Sequence, residues 1–213
     1  VHGVGSYGHP IVKKYNIDKG IDETNEQKEA ITRAKKQIRD LNKILCNEMI
    51  ELGIKCDIII PSETIELNSD NKLETIPKEK FDQILSKNQI AITFGDIVNT
   101  KEENVSVLSG DTLLLKLAQI YKPKRTYFIM DYPGVVKGNL NSKEIKIYEK
   151  INSKFIKNIS ITEQKNRPDV TGGLLNKIEC ALEISKISEC WISGLENLES
   201  CINGNPIGTM VTI

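Results

Sequence analysis

The residues best suited to bind a phosphate fall in a few short stretches. The first is Gly3-Val4-Gly5-Ser6-Tyr7-Gly8-His9-Pro10. Its glycines, lacking side chains, let backbone N–H groups come close to anionic oxygens, although the same residues also suit a structural turn. His9, between glycine and proline, reads as a loop residue poorly placed for core packing and able to donate to an anion. A buried, hydrogen-bonded histidine is the alternative. His2 reads as structural, at the end of a strand. Gly95-Asp96 follows a predicted strand, and Ser109-Gly110-Asp111 opens a predicted helix. Ser109 and Asp111 are good helix-start residues, so capping and ligand binding are both open to them, and the two are compatible.

The most informative stretch is Asp169-Val170-Thr171-Gly172-Gly173-Leu174-Leu175-Asn176-Lys177. Two glycines at a helix start, with a lysine about one turn further in, offer amide donors, a positive dipole end and a mobile ammonium to a polyphosphate. A capped helix with a surface lysine is the alternative. The run Met130-Asp131-Tyr132-Pro133-Gly134-Val135 closes another strand with turn chemistry. The chain contains neither the G-x-x-x-x-G-K-[ST] of a Walker loop nor a dinucleotide-type G-x-G-x-x-G/A in a βαβ setting.

Alternating strand and helix patterns must position these stretches. That alternation predicts an α/β chain with a mostly parallel sheet covered by helices on both faces. Apolar residues at Ile31, Ala34, Ile38, Leu41, Leu45, Met49 and Leu52 predict one stripe on a helix over 27–52, with Gly53 as its stop. Strands are predicted at 56–60, 89–94, 105–108, 126–130, 145–148, 190–193 and 209–213, and helices at 112–121 and 173–187. The polar stretch 66–80 reads as a hairpin or excursion, and 138–144 as a turn. At 213 residues one large domain or two joined lobes is expected, and two lobes would share one sheet.

Composition narrows the function. Lys plus Arg and Asp plus Glu are both 29, so the formal charge is zero, which argues against a nucleic-acid binder relying on bulk positive charge. No apolar run approaches the roughly 18 residues of a membrane span. Cys46, Cys56, Cys180, Cys190 and Cys201 form no C-x-x-C pair, so neither a zinc site nor a disulfide framework is suggested, and reduced thiols in a cytosol are expected. The opening residues lack the character of a signal peptide and look like a chain entered partway through a domain.

The order of motifs is HGVGSYGHP with IVKKY, then GD, SGD, a strand ending in D-x-x-G-V, DVTGG-x-x-x-K and a final GT. Together they resemble the amino-acid kinase superfamily, and within it the archaeal-type isopentenyl phosphate kinases. The glycine loop ending in G-H-P is the most specific part. The resemblance implies a three-layer αβα sandwich, in one domain over 1–213 with an acceptor-binding part at about 1–110 and a nucleotide-binding part at about 111–213. It also implies a cytoplasmic homodimer and Mg2+-ATP-dependent phosphorylation of isopentenyl phosphate to isopentenyl diphosphate.

Carried over residue by residue, Val4, Gly110 and His9 face the substrate phosphate; Gly5, Asp131, Gly172 and Lys177 face ATP; Asp169 organises the lysines. No protein metal ligand, nucleic acid or membrane is implied. Three departures stand out: Val4 replaces a central glycine, which narrows backbone approach; Met130 and Pro133 replace the Thr and second Asp of T-D-x-D-G; and the family's opening Lys and Gly-Gly-Ser loop are not among these residues, so the N-terminal strand region is expected to lie outside them. A fosfomycin kinase-like enzyme and a non-catalytic phosphate-binding relative are the competing readings.

Overall fold

The long helix α2 (Asn25–Glu51) forms where the apolar spacing predicts it. Its N-cap is Thr24, whose Oγ1 accepts the Gln27 N–H at 3.2 Å. It ends where Gly53 takes a left-handed φ of 76°, with the Ile54 N–H returning to the Met49 carbonyl. The buried face, however, runs Gln27, Ala30, Ile31, Ala34, Ile38, Asn42 and Cys46. The predicted stripe instead continues through Leu41, Leu45, Met49 and Leu52, a spacing close to 3.5 residues. A straight helix has 3.6 residues per turn, so such a stripe drifts around the axis by about 20° per heptad. By its second half it has left the packed face: Leu45 is 37% exposed and Leu52 76%.

The computed structural model describes residues 1–21, 24–102, 104–137, 145–156 and 173–213. Within it, Val1–Lys116 form one compact unit and the described residues from 117 onward a second, the division falling inside helix α5 (Gly110–Tyr121).

The first unit opens with helix α1 (Gly5–Lys14), which packs on α2. A glycine-rich loop is expected here, and the helix is a correction with a clear cause. Val12 and Ile11 bury against Ala30, Ile31, Ala34 and Ile97, and that packing outweighs the turn signals of Gly8 and Pro10. Gln27 fixes the exit of α1, its Nε2 donating to the carbonyls of Tyr15 and Gly20, both at 3.0 Å. Strand β1 (Cys56–Ile58) pairs in parallel with β3 (Ile90–Ile92), α3 (Pro61–Thr64) lying between them in the chain.

Strand β4 (Asp96–Thr100), unforeseen in the sequence, lies between β2 (Glu66–Leu67, parallel) and β5 (Val105–Leu108, antiparallel). Ile97 and Val98 are both buried, one in the cluster with α1 and α2, the other with Ile65, Leu67, Leu108 and Leu113. Both faces of β4 are therefore covered. The 66–80 stretch is not a hairpin. It holds β2, a turn in which Asn68 Oδ1 accepts the N–H groups of Asp70 and Lys72, and the start of α4 (Lys78–Ser86).

In the second unit β6 (Arg125–Met130) and β8 (Glu189–Gly194) are parallel, β9 (Thr209–Val211) is antiparallel to β8, and β7 (Lys150–Ile151) is parallel to β9. Helix α6 (Ser153–Ile156) follows β7. The predicted strand at 145–148 is reduced to one antiparallel bridge, Val136 to Ile147. Helix α7 (Gly173–Ser185) packs Ile178, Ala181 and Ile184 on the sheet, and α8 (Leu198–Ile202) follows β8. Among the described residues the strands form three sheets, two in the first unit and one in the second. Similar apolar runs announce strands without naming their partners.

All five cysteines are free thiols, and burial pushes Cys190 up to about 12 and Cys46 up to about 11. Among the described residues no helix is long and apolar enough to cross a membrane.

Thr209, fully buried, ties the second unit's turns together. Its Oγ1 accepts the Val135 N–H at 2.8 Å and donates to the Tyr148 carbonyl at 2.6 Å. Thr209→Val strands both groups and should cost about 2–4 kcal/mol in urea unfolding, whereas Thr209→Ser should cost about 1 kcal/mol. Equal losses would rule out the hydroxyl as the stabilising group.

Candidate functional site

Three backbone segments of the first unit converge. Gly95 donates its N–H to the His2 carbonyl at 3.2 Å, and His2 donates to the Thr93 carbonyl at 3.0 Å. A Cβ placed on Gly95 would lie 3.2 Å from the Gly110 nitrogen and 3.3 Å from the Leu108 carbonyl oxygen. One placed on Gly110 would lie 3.2 Å from the His2 carbonyl oxygen. Only glycine lets these segments meet without backbone displacement.

The segment carrying His2 is pinned at its ring. Nε2 pairs with Asn42 Oδ1 at 3.1 Å, and the ring stacks on Phe94 at 5.2 Å. His2 is thus structural, as the sequence suggests. Asn42 was missed; its signal was a polar residue in 3.6-residue register with Ile38 on the packed face of α2.

Two helices of eight or more residues start at this junction, and by helix geometry their first N–H groups lack partners within the helix. Helix α1 starts at Gly5, in a left-handed conformation with φ 45°. Helix α5 starts at Gly110 behind Ser109, whose Oγ accepts the N–H groups of Asp111 and Thr112 at 3.1 and 3.3 Å. Capping is therefore real at Ser109.

His9 lies in the second turn of α1 rather than on a loop. It is half-buried, and its Nδ1 is buried with no hydrogen-bond partner among the described residues.

Val4 does not crowd the junction as its type suggests. Its side chain is buried with Ile38 and Phe94, and the volume it takes is vacated by Gly8, where a Cβ would fall 2.7 Å from Val4 Cγ2.

Asp96, grouped in the sequence with the phosphate-binding loops, has a structural task. Its carboxylate is buried and accepts the N–H of Ser62 at 3.0 Å and that of Ile97 at 2.8 Å. Burial raises its pKa, against the opposing pull of the Ser62 and Ile97 hydrogen bonds and the Lys35 charge.

In the second unit, Met130 ends β6 and exposed Asp131 follows it. The turn is closed at Gly134, where a Cβ would meet Thr209 Oγ1 at 2.6 Å, so glycine is required there too. Lys177, the fifth residue of α7, holds its ammonium 5.1 Å from the centre of the Phe128 ring. Asp169 and Gly172 lie outside the described residues. Among the described residues no group of three or more His, Cys, Asp or Glu side chains is placed to hold a metal ion.

Comparison with known proteins defines the class. The profile of the amino acid kinase family matches residues 1–192, and the chain belongs to that family. Among its relatives, the isopentenyl phosphate kinase of Methanocaldococcus jannaschii is 27% identical over 180 residues, which are 84% of this chain and 66% of that protein. The isopentenyl phosphate kinase of Methanothermobacter thermautotrophicus is 24% identical over 225 residues, covering 100% of this chain and 83% of that one. A structure described as "X-ray structures of isopentenyl phosphate kinase" matches with a TM-score of 0.80 at 22% identity, covering 99% of this chain and 82% of its own. The α/β architecture is thus the amino-acid kinase fold.

Two predictions follow from the junction. Gly8→Ala should destabilise the protein by about 1–3 kcal/mol, because the valine it meets cannot move aside. Combining it with Val4→Ala should recover most of that loss, a coupling read from a double-mutant cycle in urea; strict additivity would show that the two do not share the volume.

Asp96 has a folded-state pKa above its ordinary value, so the folded state holds its proton longer than the unfolded state. Its contribution to stability is greatest below the unfolded pKa of about 4 and declines as pH rises through the folded pKa. Asp96→Asn removes that dependence. Urea unfolding from about pH 3 to 7 should show the variant gaining on wild type as pH rises from about 4, and a constant difference would contradict the raised pKa.

Proposed function

We propose that this protein is an ATP-dependent kinase that phosphorylates isopentenyl phosphate to isopentenyl diphosphate in isoprenoid synthesis. The observation that carries the reading is the junction of Gly95, Gly110 and the 2–5 segment, where two helices begin and, one turn along α1, His9 carries a buried nitrogen with no hydrogen-bond partner among the described residues. Such a junction suits a phosphate monoester. Relatives named isopentenyl phosphate kinase support this acceptor.

In this reading the residues 1–213 act as one amino-acid kinase domain. The part up to about Gly110 takes the acceptor and the remainder takes the nucleotide. The backbone at Val4 and Gly110 and the side chain of His9 hold the acceptor phosphate. Gly5, Asp131, Gly172 and Lys177 hold ATP, and Asp169 orients the lysines. An oxygen of the acceptor phosphate attacks the γ-phosphorus; its bond forms as the bond to the β,γ-bridging oxygen breaks, and ADP leaves with that electron pair. The nucleophile is already anionic, so no general base is needed, and an imidazole N–H offsets charge where two phosphates meet. Mg2+ carried by the nucleotide phosphates supplies further charge neutralisation when bound.

The free cysteines fit a reducing cytoplasm. The exposed apolar residues Ile44 and Leu45 on α2 and Leu52 just after it favour a homodimer, which light scattering on wild type and Leu45→Glu would test. A monomeric wild type would refute it.

The reaction is tested with the full encoded protein, ATP, Mg2+ and isopentenyl phosphate, following the diphosphate by phosphorus NMR, with fosfomycin as a parallel acceptor. Isopentenyl diphosphate formation is expected. Turnover of fosfomycin alone, or of neither acceptor, would overturn the assignment. His9→Gln, which keeps a donor, should retain at least about tenfold more kcat/KM than His9→Ala, the worth of one charge-assisted hydrogen bond. Equal losses would argue for proton chemistry instead.

A further inference from the structure

Of the five free cysteines, four are buried and Cys56 alone is half-exposed. Cys56 opens β1, and the two-residue period of a strand puts its side chain on the same face as Ile58. That face packs toward α2, where Ile58 lies against the cluster of Val4, Ile38 and Phe94. Two turns beyond Ile38, at the end of the same buried stripe, comes Cys46. The chain passes from α2 through the turn at Gly53 into β1, and the two elements pack on each other. The last buried residue of the helix therefore meets the first residue of the strand, and the Cys46 and Cys56 thiols are hydrogen-bonded there.

We propose that Cys56 and Cys46 form a reversible oxidation site for a hydroperoxide, in which Cys56 is oxidised first and Cys46 resolves it as a disulfide. An oxidant arriving from solvent reaches Cys56 before any of the buried thiols. Burial, and after it the neighbouring Cys56, push the Cys46 thiol up to about 11, so it stays protonated and inert toward solvent. The Cys56 thiolate attacks one peroxide oxygen. A sulfur–oxygen bond forms as the oxygen–oxygen bond breaks, and the departing oxygen takes up a proton. The sulfur is thereby oxidised by two electrons to a sulfenic acid, and the peroxide is reduced. The Cys46 sulfur then attacks the Cys56 sulfur. The disulfide forms as the sulfur–oxygen bond breaks, and the departing hydroxide takes the Cys46 proton and leaves as water. A sulfenic acid with no thiol beside it is open to a second oxidation, to a sulfinic acid that thiols do not reverse. Cys46 closes that route, and a thiol reductant returns both residues to their starting state.

The full encoded protein is exposed to hydrogen peroxide in its native state, the remaining thiols are alkylated, and the digested peptides are identified by mass spectrometry. Wild type should yield the Cys46–Cys56 disulfide, lost again on treatment with dithiothreitol. Cys46→Ala should raise the share of sulfinic Cys56 at least about tenfold over wild type. In Cys56→Ser, Cys46 should stay unoxidised at the same exposure. Thermal melting checks that each variant is folded, and if Cys46→Ala melts below the assay temperature, Cys46→Ser, closer in volume, takes its place.

Equal amounts of sulfinic Cys56 in wild type and in the Cys46 variant would overturn the resolving role. Oxidation of Cys46 at the wild-type rate in Cys56→Ser would overturn the order of attack. A disulfide joining a different pair, or an unoxidised Cys56 at an exposure that fully oxidises free cysteine, would overturn the site itself.

Discussion

The first unit depends on how closely three stretches of backbone approach one another without side chains between them. The carbonyl of His2 accepts the Gly95 N–H at 3.2 Å and would lie equally near a Cβ on Gly110. Any other residue at 95 or 110 would force backbone apart rather than displace a side chain. The approach places the starts of α1 and α5 at one junction, and with them the partial positive charge of two helix ends. Residues distant in sequence serve it. The His2–Asn42 pair anchors the first segment to α2, and the Asp96 carboxylate fastens the residue after Gly95 to the start of α3.

Close approach has to be reconciled with a core, and Val4 shows how. A β-branched residue beside the junction adds volume where the motif leads one to expect none. The isopropyl group turns inward beside Ile38 and Phe94, and Gly8 one turn later leaves it room. One glycine of the Gly-rich stretch thus serves packing, whereas Gly5 serves backbone conformation with its positive φ. Glycines that look alike in sequence have separate physical reasons.

Helices α2, α5 and α7 and strands β5, β6 and β8 were legible because each carries its own periodicity over enough residues to outvote its neighbours. Helix α1 was not, because Gly5, Gly8 and Pro10 are turn signals by propensity, and only contacts with Ala30, Ile31 and Ala34, distant in sequence, make it a helix. Strand β4 was hidden because Asp96 and Asn99 are poor strand formers, and its Ile97 and Val98 bury on opposite faces. Of the residues the motif names, Gly110 lies at the junction, whereas the loop setting of His9 does not survive the packing of α1. Asn42 and Thr209 were invisible as anchors, since a lone polar residue declares its partner only after folding. Asp169 and Gly172 lie outside the described residues.

In the first unit the donors at the junction are backbone groups whose positions the fold itself fixes, because Gly95 and Gly110 carry no side chain that would hold the three segments apart. Their position therefore costs nothing further once the fold has formed. Fixed amides suit a group recognised in one geometry, and in the proposed reading that group is the acceptor phosphate.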